Sequence, residues 1–356
     1  MPLHMNSRLP EPEILKNQIP VSEEAKAVKK QRDKEIQAVF TGDDDRFLVI
    51  VGPCSADNEE SVLEYCRRLK NLNEKVKDRL ILIPRVYTGK PRTTGDGYKG
   101  LMHQPDPKSQ PNMLEGIIKT RQLHLKVLEE TGLSTADEML YPENRSFVDD
   151  ILSYEAVGAR SVENQQHRLI SSASDLPVGM KNPTSGDFGV MMNSVTAAQH
   201  PHRFTYRGYD VTSDGNPLAH VILRGGVDKY GKNIPNYHSE DLKTVYDLYQ
   251  KSGLQNPAVI VDANHSNSSK KFREQIRIIM DVMHNRKYHP EIRDMVKGVM
   301  IESYLLEGNQ NIDKEYILGR SITDPCLGWE DTEQLILDIY DRIGQEKAEE
   351  TTAEAE

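Results

Sequence analysis

Eight short runs rich in valine, isoleucine and leucine recur along the chain, each followed by a polar loop and then by a segment of helical periodicity. The runs are nearly continuous in apolar residues, the composition of strands buried on both faces. No Gly-x-Gly-x-x-Gly follows the first run, where an open doubly wound sheet would carry it. These three observations predict an α/β fold: a closed (β/α)8 TIM barrel with an N-terminal helical extension and a small β-hairpin insertion.

Taken in order, residues 1 to 21 are proline-rich and polar, an arm rather than a core element. From Ser22, "SEEAKAVKKQRDKEIQAVF" opens with an N-cap and first-turn acids, and brings Ala25, Val28, Ile36, Val39 and Phe40 to one face, which predicts a helix packed beneath or beside the barrel. Residues 1–46 are thus an arm and helix preceding the barrel, to which the family resemblance given below adds an oligomerisation or regulatory role. The predicted strands are "FLVIVGPC" (47–54), "LILIPRVY" (80–87), "STADEML" (134–140), "VGARSV" (157–162), "PVGMKN" (177–182), "HVILRG" (220–225), "AVIVDANH" (258–265) and "GVMIES" (298–303). Helical segments separate them, among them "NRSFVDDILSYEA" before the fourth strand, and "WEDTEQLILDIYDRIG" ends the barrel at 343. "HRFTYRGYDVTSDGNPLA" reads as the hairpin and "GGVDKYGKNIPNY" as a long loop. The acidic tail, 344–356, lacks aromatics and is expected to be disordered.

The chain has 356 residues and a formal net charge of −10, which argues against a general nucleic-acid binder. No run of about eighteen apolar residues is present to span a membrane, and the N-terminus lacks the apolar core of a secretory signal. Three cysteines, Cys54, Cys66 and Cys326, fit a reduced, cytoplasmic setting better than a disulfide framework. Against this acidic background "PRVYTGKPRTTGDGYKG" sets Arg85, Lys90, Arg92 and Lys99 beside one carboxylate, Asp96.

A barrel places its site at the carboxyl ends of its strands. There the sequence puts Cys54 on strand one, Arg85 on strand two with Lys90 and Arg92 beyond, Glu138 on three, Arg160 on four, Lys181 on five, Arg224 on six, His265 on seven and Glu302 on eight. Singly, each has an ordinary reading as a surface charge, a small buried hydrophobe or a structural histidine. Convergence on one end of eight strands favours a site. Arg85, Lys90, Arg92, Arg160, Lys181 and Arg224 form a cationic set suited to small phosphorylated or carboxylated substrates. The competing reading pairs some of them with Glu138, Glu163 or Asp262.

Strands seven, eight and one are neighbours in a closed barrel, so Cys54, His265 and Glu302 should lie side by side. Thiolate, imidazole and carboxylate suit a borderline divalent metal, and Asp324 in "SITDPC" could supply a fourth ligand. Such an ion would act as a Lewis acid on a carbonyl oxygen.

The motifs "GPCS", "PRVYTGKPRTTGDGYKG", "GAR", "PVGMKNPTSG", "HVILRGG", "VDANHSNSSKK", "GVMIESYLLEGNQ" and "SITDPCLGWEDTE" resemble those of the class I (type Iα, phenylalanine/tyrosine-regulated) 3-deoxy-D-arabino-heptulosonate 7-phosphate (DAHP) synthases, over roughly positions 15 to 343. The resemblance implies condensation of phosphoenolpyruvate with erythrose 4-phosphate, with release of phosphate, as the first step of the shikimate pathway. It makes Cys54, His265, Glu302 and Asp324 ligands of a divalent metal such as manganese, iron, cobalt or zinc. It gives Arg85, Lys90, Arg160, Lys181 and Arg224 to phosphoenolpyruvate, Arg92 and Thr93 to erythrose 4-phosphate, and Glu138 to positioning a water. C3 of phosphoenolpyruvate attacks the polarised aldehyde, with Lys90 as the proton donor to the new hydroxyl. Cys326, two residues beyond Asp324, is expected to join Cys54 in an inactivating disulfide when metal is lost.

The resemblance also implies a homodimer or homotetramer and an aromatic amino acid effector, phenylalanine or tyrosine. "MLYPENRSF" and Asp175 depart from the family's usual pattern in the regulatory region and leave the effector's identity open. The rival readings are an octulosonate-phosphate synthase using arabinose 5-phosphate, a Schiff-base aldolase with Lys181 as nucleophile, and a non-catalytic sugar-phosphate sensor.

Overall fold

The computed structural model describes residues 4–92, 95–312 and 315–355. Eight parallel strands form the barrel: β1 (Phe47–Gly52), β2 (Leu80–Pro84), β3 (Ala136–Glu138), β4 (Tyr154–Val157), β5 (Val178–Lys181), β6 (His220–Leu223), β7 (Val259–Asp262) and β8 (Val296–Glu302). β1 pairs with both β2 and β8, and pairing continues from β8 through β7, β6, β5 and β4 to β3. A parallel bridge from Arg85 to Ala136 closes the last seam, with the Val86 amide donating to the Ala136 carbonyl at 2.9 Å.

The helices are α1 (Pro12–Gln18), α2 (Glu23–Thr41), α3 (Glu59–Val76), α4 (Met113–Thr131), α5 (Gln165–Ser172), α6 (Phe188–Gln199), α7 (Ser239–Ser252), α8 (Glu274–Tyr288), α9 (Pro290–Met295) and α10 (Trp329–Ala355). Their starts are set by side chains: Ser22, Asn58, Asn112, Asn164 and Asp187 each accept a first-turn amide.

Alternation along the strands sorts the apolar residues into two sets. Phe47, Val49 and Val51 of β1 share a cluster with Leu69 and Leu72 of α3 and Ile336 of α10, outside the barrel. Leu48 and Ile50 share the barrel interior with Ile81, Ile83, Ala156, Ile222, Ile260 and Met300. Ile36, Val39 and Phe40 of α2 join that interior set, so α2 plugs the amino end of the barrel. The face is rotated from the sequence expectation: Val28 is 37% exposed, whereas Arg32 is buried and donates to the Leu82 carbonyl at 2.6 Å.

Three further expectations are corrected. The helix expected over "NRSFVDDILSYEA" is a 3-10 turn, Pro142–Phe147, and the fourth strand begins at Tyr154 rather than Val157. Here Arg121 takes the Phe147 carbonyl at 2.9 Å and Asp150 at 2.7 Å, groups a helix would keep for itself or leave in water. The loop after β6 contains a short antiparallel pair, Gly226–Val227 with Asn233–Ile234. The tail, expected to be disordered, continues α10: Glu346 is buried and accepts from Arg286 at 3.0 Å, and Lys347 lies 2.8 Å from Asp45. The hairpin is His202–Tyr206 with Tyr209–Ser213, turned by Arg207 and Gly208 at φ 50° and 80°.

At the plugged end His220 is fully buried, its ring 4.4 Å from that of Phe40. Its Nδ1 donates to the Leu218 carbonyl at 2.9 Å, and its Nε2 accepts the Tyr154 hydroxyl at 2.8 Å. Burial lowers its pKa to about 4. Between its usual value near 6.5 and about 4 the unfolded chain binds a proton that the folded chain refuses, so stability falls as pH drops through that window, by up to ~3 kcal/mol. Asp57, raised to about 6 by burial, acts in the opposite sense, so the informative quantity is a difference between proteins. His220→Asn is expected to be less stable at pH 7.5, with the gap to wild type narrowing by ~2–3 kcal/mol near pH 4.5, as read from urea midpoints. A pH-independent gap would show that His220 is not held neutral.

Candidate active site

The same alternation that fills the barrel interior sets its carboxyl mouth. Two residues beyond Ile83 comes Arg85; two beyond Ile222, Arg224; two beyond Ile260, Asp262; two beyond Met300, Glu302; two beyond Ala136, Glu138. Arg85, Arg224, Asp262 and Glu302 are buried, as is Lys181 at the end of β5. Glycine makes room among them: a Cβ on Gly158 would lie 2.3 Å from Glu138 Oε1.

Above these residues opens a cleft with about 830 Å³ of empty space, its solvent-open mouth included. All six cations singled out in the sequence line it: Arg85, Lys90, Arg92, Arg160, Lys181 and Arg224. Cys54, Glu138, His265 and Asp324 line it as well. Arg160 and His265 lie three residues past their strands and Cys54 two past β1, so loops rather than strands carry them. Thr93 lies outside the described residues. Lys99 does not line the cavity; its carbonyl accepts the Lys90 amide at 3.1 Å, which ties together the two limbs of the loop after β2.

The charges are interleaved. Arg85 donates to the Pro53 carbonyl and, at 3.0 Å, to Glu302 Oε1, while its guanidinium lies 3.7 Å over the Tyr87 ring. Its Nε is buried without a partner. Lys181 donates to Asp262 Oδ2 at 3.0 Å, so the pairing reading held for this lysine. Arg224 donates to Ser266 Oγ at 3.1 Å and to the Gly225 carbonyl at 3.2 Å, and Arg92 to the Tyr98 carbonyl at 2.8 Å. Burial opposes charge on Arg85, but Glu302 together with Tyr87, Cys54 and Asp262 outweighs it and holds the guanidinium protonated. Arg224, with no carboxylate in contact among the described residues, has its pKa lowered by burial.

On the cavity floor the Cys54 sulfur, a Glu302 oxygen and an Asp324 oxygen lie within 4.8 Å of one another. His265 stands at their edge, Nε2 3.8 Å from Glu302 Oε1, with Nδ1 turned to Asp262 Oδ2 at 2.9 Å. Glu302 is fixed on both sides, since Asn264 Nδ2 donates to its second oxygen. Lys90 Nζ donates to Cys54 Sγ at 2.7 Å and to Asp324 Oδ2 at 3.1 Å, so an ammonium bridges two of the expected ligands. Burial and then Glu302 raise the Cys54 thiol pKa, which leaves the thiol neutral at pH 7. Asp324 is lowered despite its burial, chiefly by Lys90 and Lys270.

Three features of this site escaped the sequence reading. Lys270 lines the cavity and donates to Asp324 Oδ1 at 3.1 Å. Asp262, foreseen only as a partner for a cation, also holds His265, and Asn264 orients Glu302. All three sit in or beside "VDANHSNSSKK", where a run of polar residues after a strand was the available signal. That segment is also locally strained: His265, Ser269 and Lys270 have φ of 53°, 52° and 59°.

The fold and cavity define an α/β barrel with a cation-lined mouth, a thiol and carboxylate cluster on its floor and an imidazole at the cluster's edge. Residues 18–336 match the DAHP synthetase I family, and the chain belongs to that family. It is 39% identical over 339 residues to a Haemophilus influenzae protein named phospho-2-dehydro-3-deoxyheptonate aldolase, covering 93% of this chain and 91% of that one. Identity is 37% over 340 residues, 93% of each chain, to the Phe-sensitive Escherichia coli protein of the same name. A solved structure of phospho-2-dehydro-3-deoxyheptonate aldolase from Francisella tularensis superposes with a TM-score of 0.89 at 32% identity, covering 96% of this chain and 98% of the other.

A cavity with this excess of cations should bind inorganic phosphate. Millimolar phosphate is expected to raise Tm by linkage, and Arg160→Ala, which removes an exposed side chain, should reduce that rise without lowering the phosphate-free Tm. Equal phosphate shifts in the two proteins, read by thermal unfolding, would place the anion elsewhere.

Proposed function

We propose that this chain is a DAHP synthase, condensing phosphoenolpyruvate with erythrose 4-phosphate to give DAHP and phosphate. The observation that carries the reading is the convergence of all six cations on one cavity whose floor holds Cys54, Glu302 and Asp324. Two phosphorylated substrates supply the anionic charge that such a set requires, and guanidinium groups offer bidentate geometry to phosphate and carboxylate.

In this reading Arg85, Lys181, Arg224 and Arg160, with Lys90, bind the phosphate and carboxylate of phosphoenolpyruvate. The unpartnered Arg85 Nε is one donor available to it. Arg92, with Thr93, holds the phosphate of the aldose at the mouth. Glu138, beside the substrate cations, orients the water that adds at C2. Burial opposes charge on Lys90, but Cys54, Asp324 and Glu302 together keep it protonated, and it gives a proton to the aldehyde oxygen as that becomes the new hydroxyl.

The donor set fits a divalent metal: one sulfur and two carboxylate oxygens cluster, an imidazole stands beside them, and a cation already bridges Cys54 and Asp324. Cys54, His265, Glu302 and Asp324 would hold the ion, and Lys90 would move aside. When bound, such an ion supplies Lewis-acid polarisation of a carbonyl oxygen. Asp262 keeps the His265 ring oriented with Nε2 toward the cluster.

Regulation by an aromatic amino acid is part of the proposal. Relatives are named Phe-sensitive, Tyr-sensitive and Trp-sensitive. The arm is docked here: Lys16 of α1 pairs with Asp149, and Glu11 and Glu13 pair with Arg207 at the hairpin tip. We also infer a cytoplasmic homodimer or homotetramer; no described helix is long and apolar enough to cross a membrane.

Cys54→Ala is expected to lose bound metal and turnover together, by more than the roughly 100-fold that loss of an outer-shell partner costs. Metal analysis of the purified variant decides this, and a metal-replete, active protein would sink the ligand assignment. Lys90→Met should lower kcat by roughly 100-fold or more; near-normal turnover at saturating substrate would remove Lys90 from proton donation. Competition between erythrose 4-phosphate and arabinose 5-phosphate tests substrate choice, and preference for the pentose would overturn the reading. Steady-state rates with each aromatic amino acid, before and after deletion of residues 1 to 21, test regulation; no inhibition by any of the three would end that part of the proposal.

A further inference from the structure

Asp57 follows Cys54 by three residues in the loop after β1 and is buried, at 3% exposure. No lysine or arginine pairs with it among the described residues. Two phenols do instead: Tyr304 donates to Oδ1 at 2.9 Å and Tyr316 to Oδ2 at 2.9 Å. Both tyrosines belong to the long connection from β8 to α10, the connection that carries Asp324. Tyr304 lies at its start, Tyr316 near its middle, and Asp324 eight residues later. Next to Asp57, the Ala56 carbonyl accepts the Tyr98 hydroxyl at 3.1 Å, which brings in the loop that carries Lys90 and Arg92. A further contact, Thr323 Oγ1 to Ser55 Oγ at 3.3 Å, joins the residues flanking Asp324 and Cys54.

A carboxylate buried away from cations costs desolvation energy, and an apolar side chain would fill the same space without it. The cost appears in the acid's pKa, raised to about 6 by burial and only partly eased by the two phenols. What a carboxylate offers here is two acceptor oxygens fixed on one side chain, so that one residue of the β1 loop holds two separated points of the β8 loop. The connection is also tied to itself, Leu306–Asn309 pairing with Arg320–Ser321 and Gly308 bridging Cys326, so the two phenols seat an already folded loop against the loop after β1.

We infer that Asp57 is a positioning residue for the metal site: through the Tyr304 and Tyr316 hydroxyls it fixes the loop bearing Asp324 against the loop bearing Cys54. The inference rests on the metal reading above. Tyr316 is the separable member, because it is half-buried and its ring can stay while its hydroxyl is removed.

The test uses the full chain, stripped of metal and titrated with cobalt(II). Affinity is read by competition with a chelator, and ligation by the sulfur-to-cobalt absorption band. Tyr316→Phe is expected to weaken cobalt binding roughly 10-fold or more, the scale of outer-shell partners. The Tm of the metal-free protein should move by about 4 °C or less. Asp57→Asn, which keeps the shape but not the pair of acceptors, should weaken binding in the same direction. Unchanged cobalt affinity in Tyr316→Phe overturns the inference and leaves the metal site standing, and a lowered Tm with unchanged affinity does the same by marking a merely structural contact. No cobalt binding by the wild-type chain overturns both the metal site and the positioning role.

Discussion

Repulsion among like charges in a confined mouth is the constraint around which this barrel is arranged. Seven cations face one cavity, and two unit charges 4 Å apart at an effective dielectric near 20 repel by about 4 kcal/mol. The fold tolerates them because carboxylates are set between them: Glu302 beside Arg85, Asp262 between Lys181 and His265, Asp324 between Lys90 and Lys270. Among the described residues Arg92 and Arg224 donate only to neutral oxygens, and that residual cationic charge is what an anionic substrate would meet.

The two ends of the barrel divide stability from chemistry. At the amino end α2 inserts Ile36, Val39 and Phe40 among interior residues, and the buried His220 is satisfied by a carbonyl and a phenol. Ile36, Val39, Phe40 and His220 are all shut off from solvent there. At the carboxyl end the interior side chains give way to glycine at Gly158 and to long polar groups, which leaves volume for a ligand. The same strands serve both ends, since one strand crosses from apolar to ionic within two residues, as β8 does from Met300 to Glu302.

Much of this was legible from sequence. Seven of the eight strands were placed within a few residues, most because strands buried on both faces read as apolar runs, and the barrel rule then located the cations and three metal-ligand candidates at one rim. The fourth strand was placed late because "DDILSYEA" has helical periodicity, while Arg121 diverts the Phe147 carbonyl and Asp150 into long-range contacts. The tail was misjudged for a similar reason. Its composition is that of a disordered segment, yet Glu346 meets a buried arginine on α8. Composition reports what a segment can bury by itself and is blind to a partner 60 residues away.

Sequence alone determined the barrel, the end that bears the site and the residue types gathered there, because side-chain alternation and loop position are local properties of the chain. Tertiary structure decided which charge meets which. Cys54 and Asp324 are separated by 270 residues, and Lys90 reaches both only because barrel closure and the loops after β1, β2 and β8 bring three distant segments within one hydrogen-bond length. The bridging role of Asp262 and the grip of Asp57 on Tyr304 and Tyr316 arise the same way, since an ion pair or hydrogen bond depends on distances that only closure of the barrel fixes.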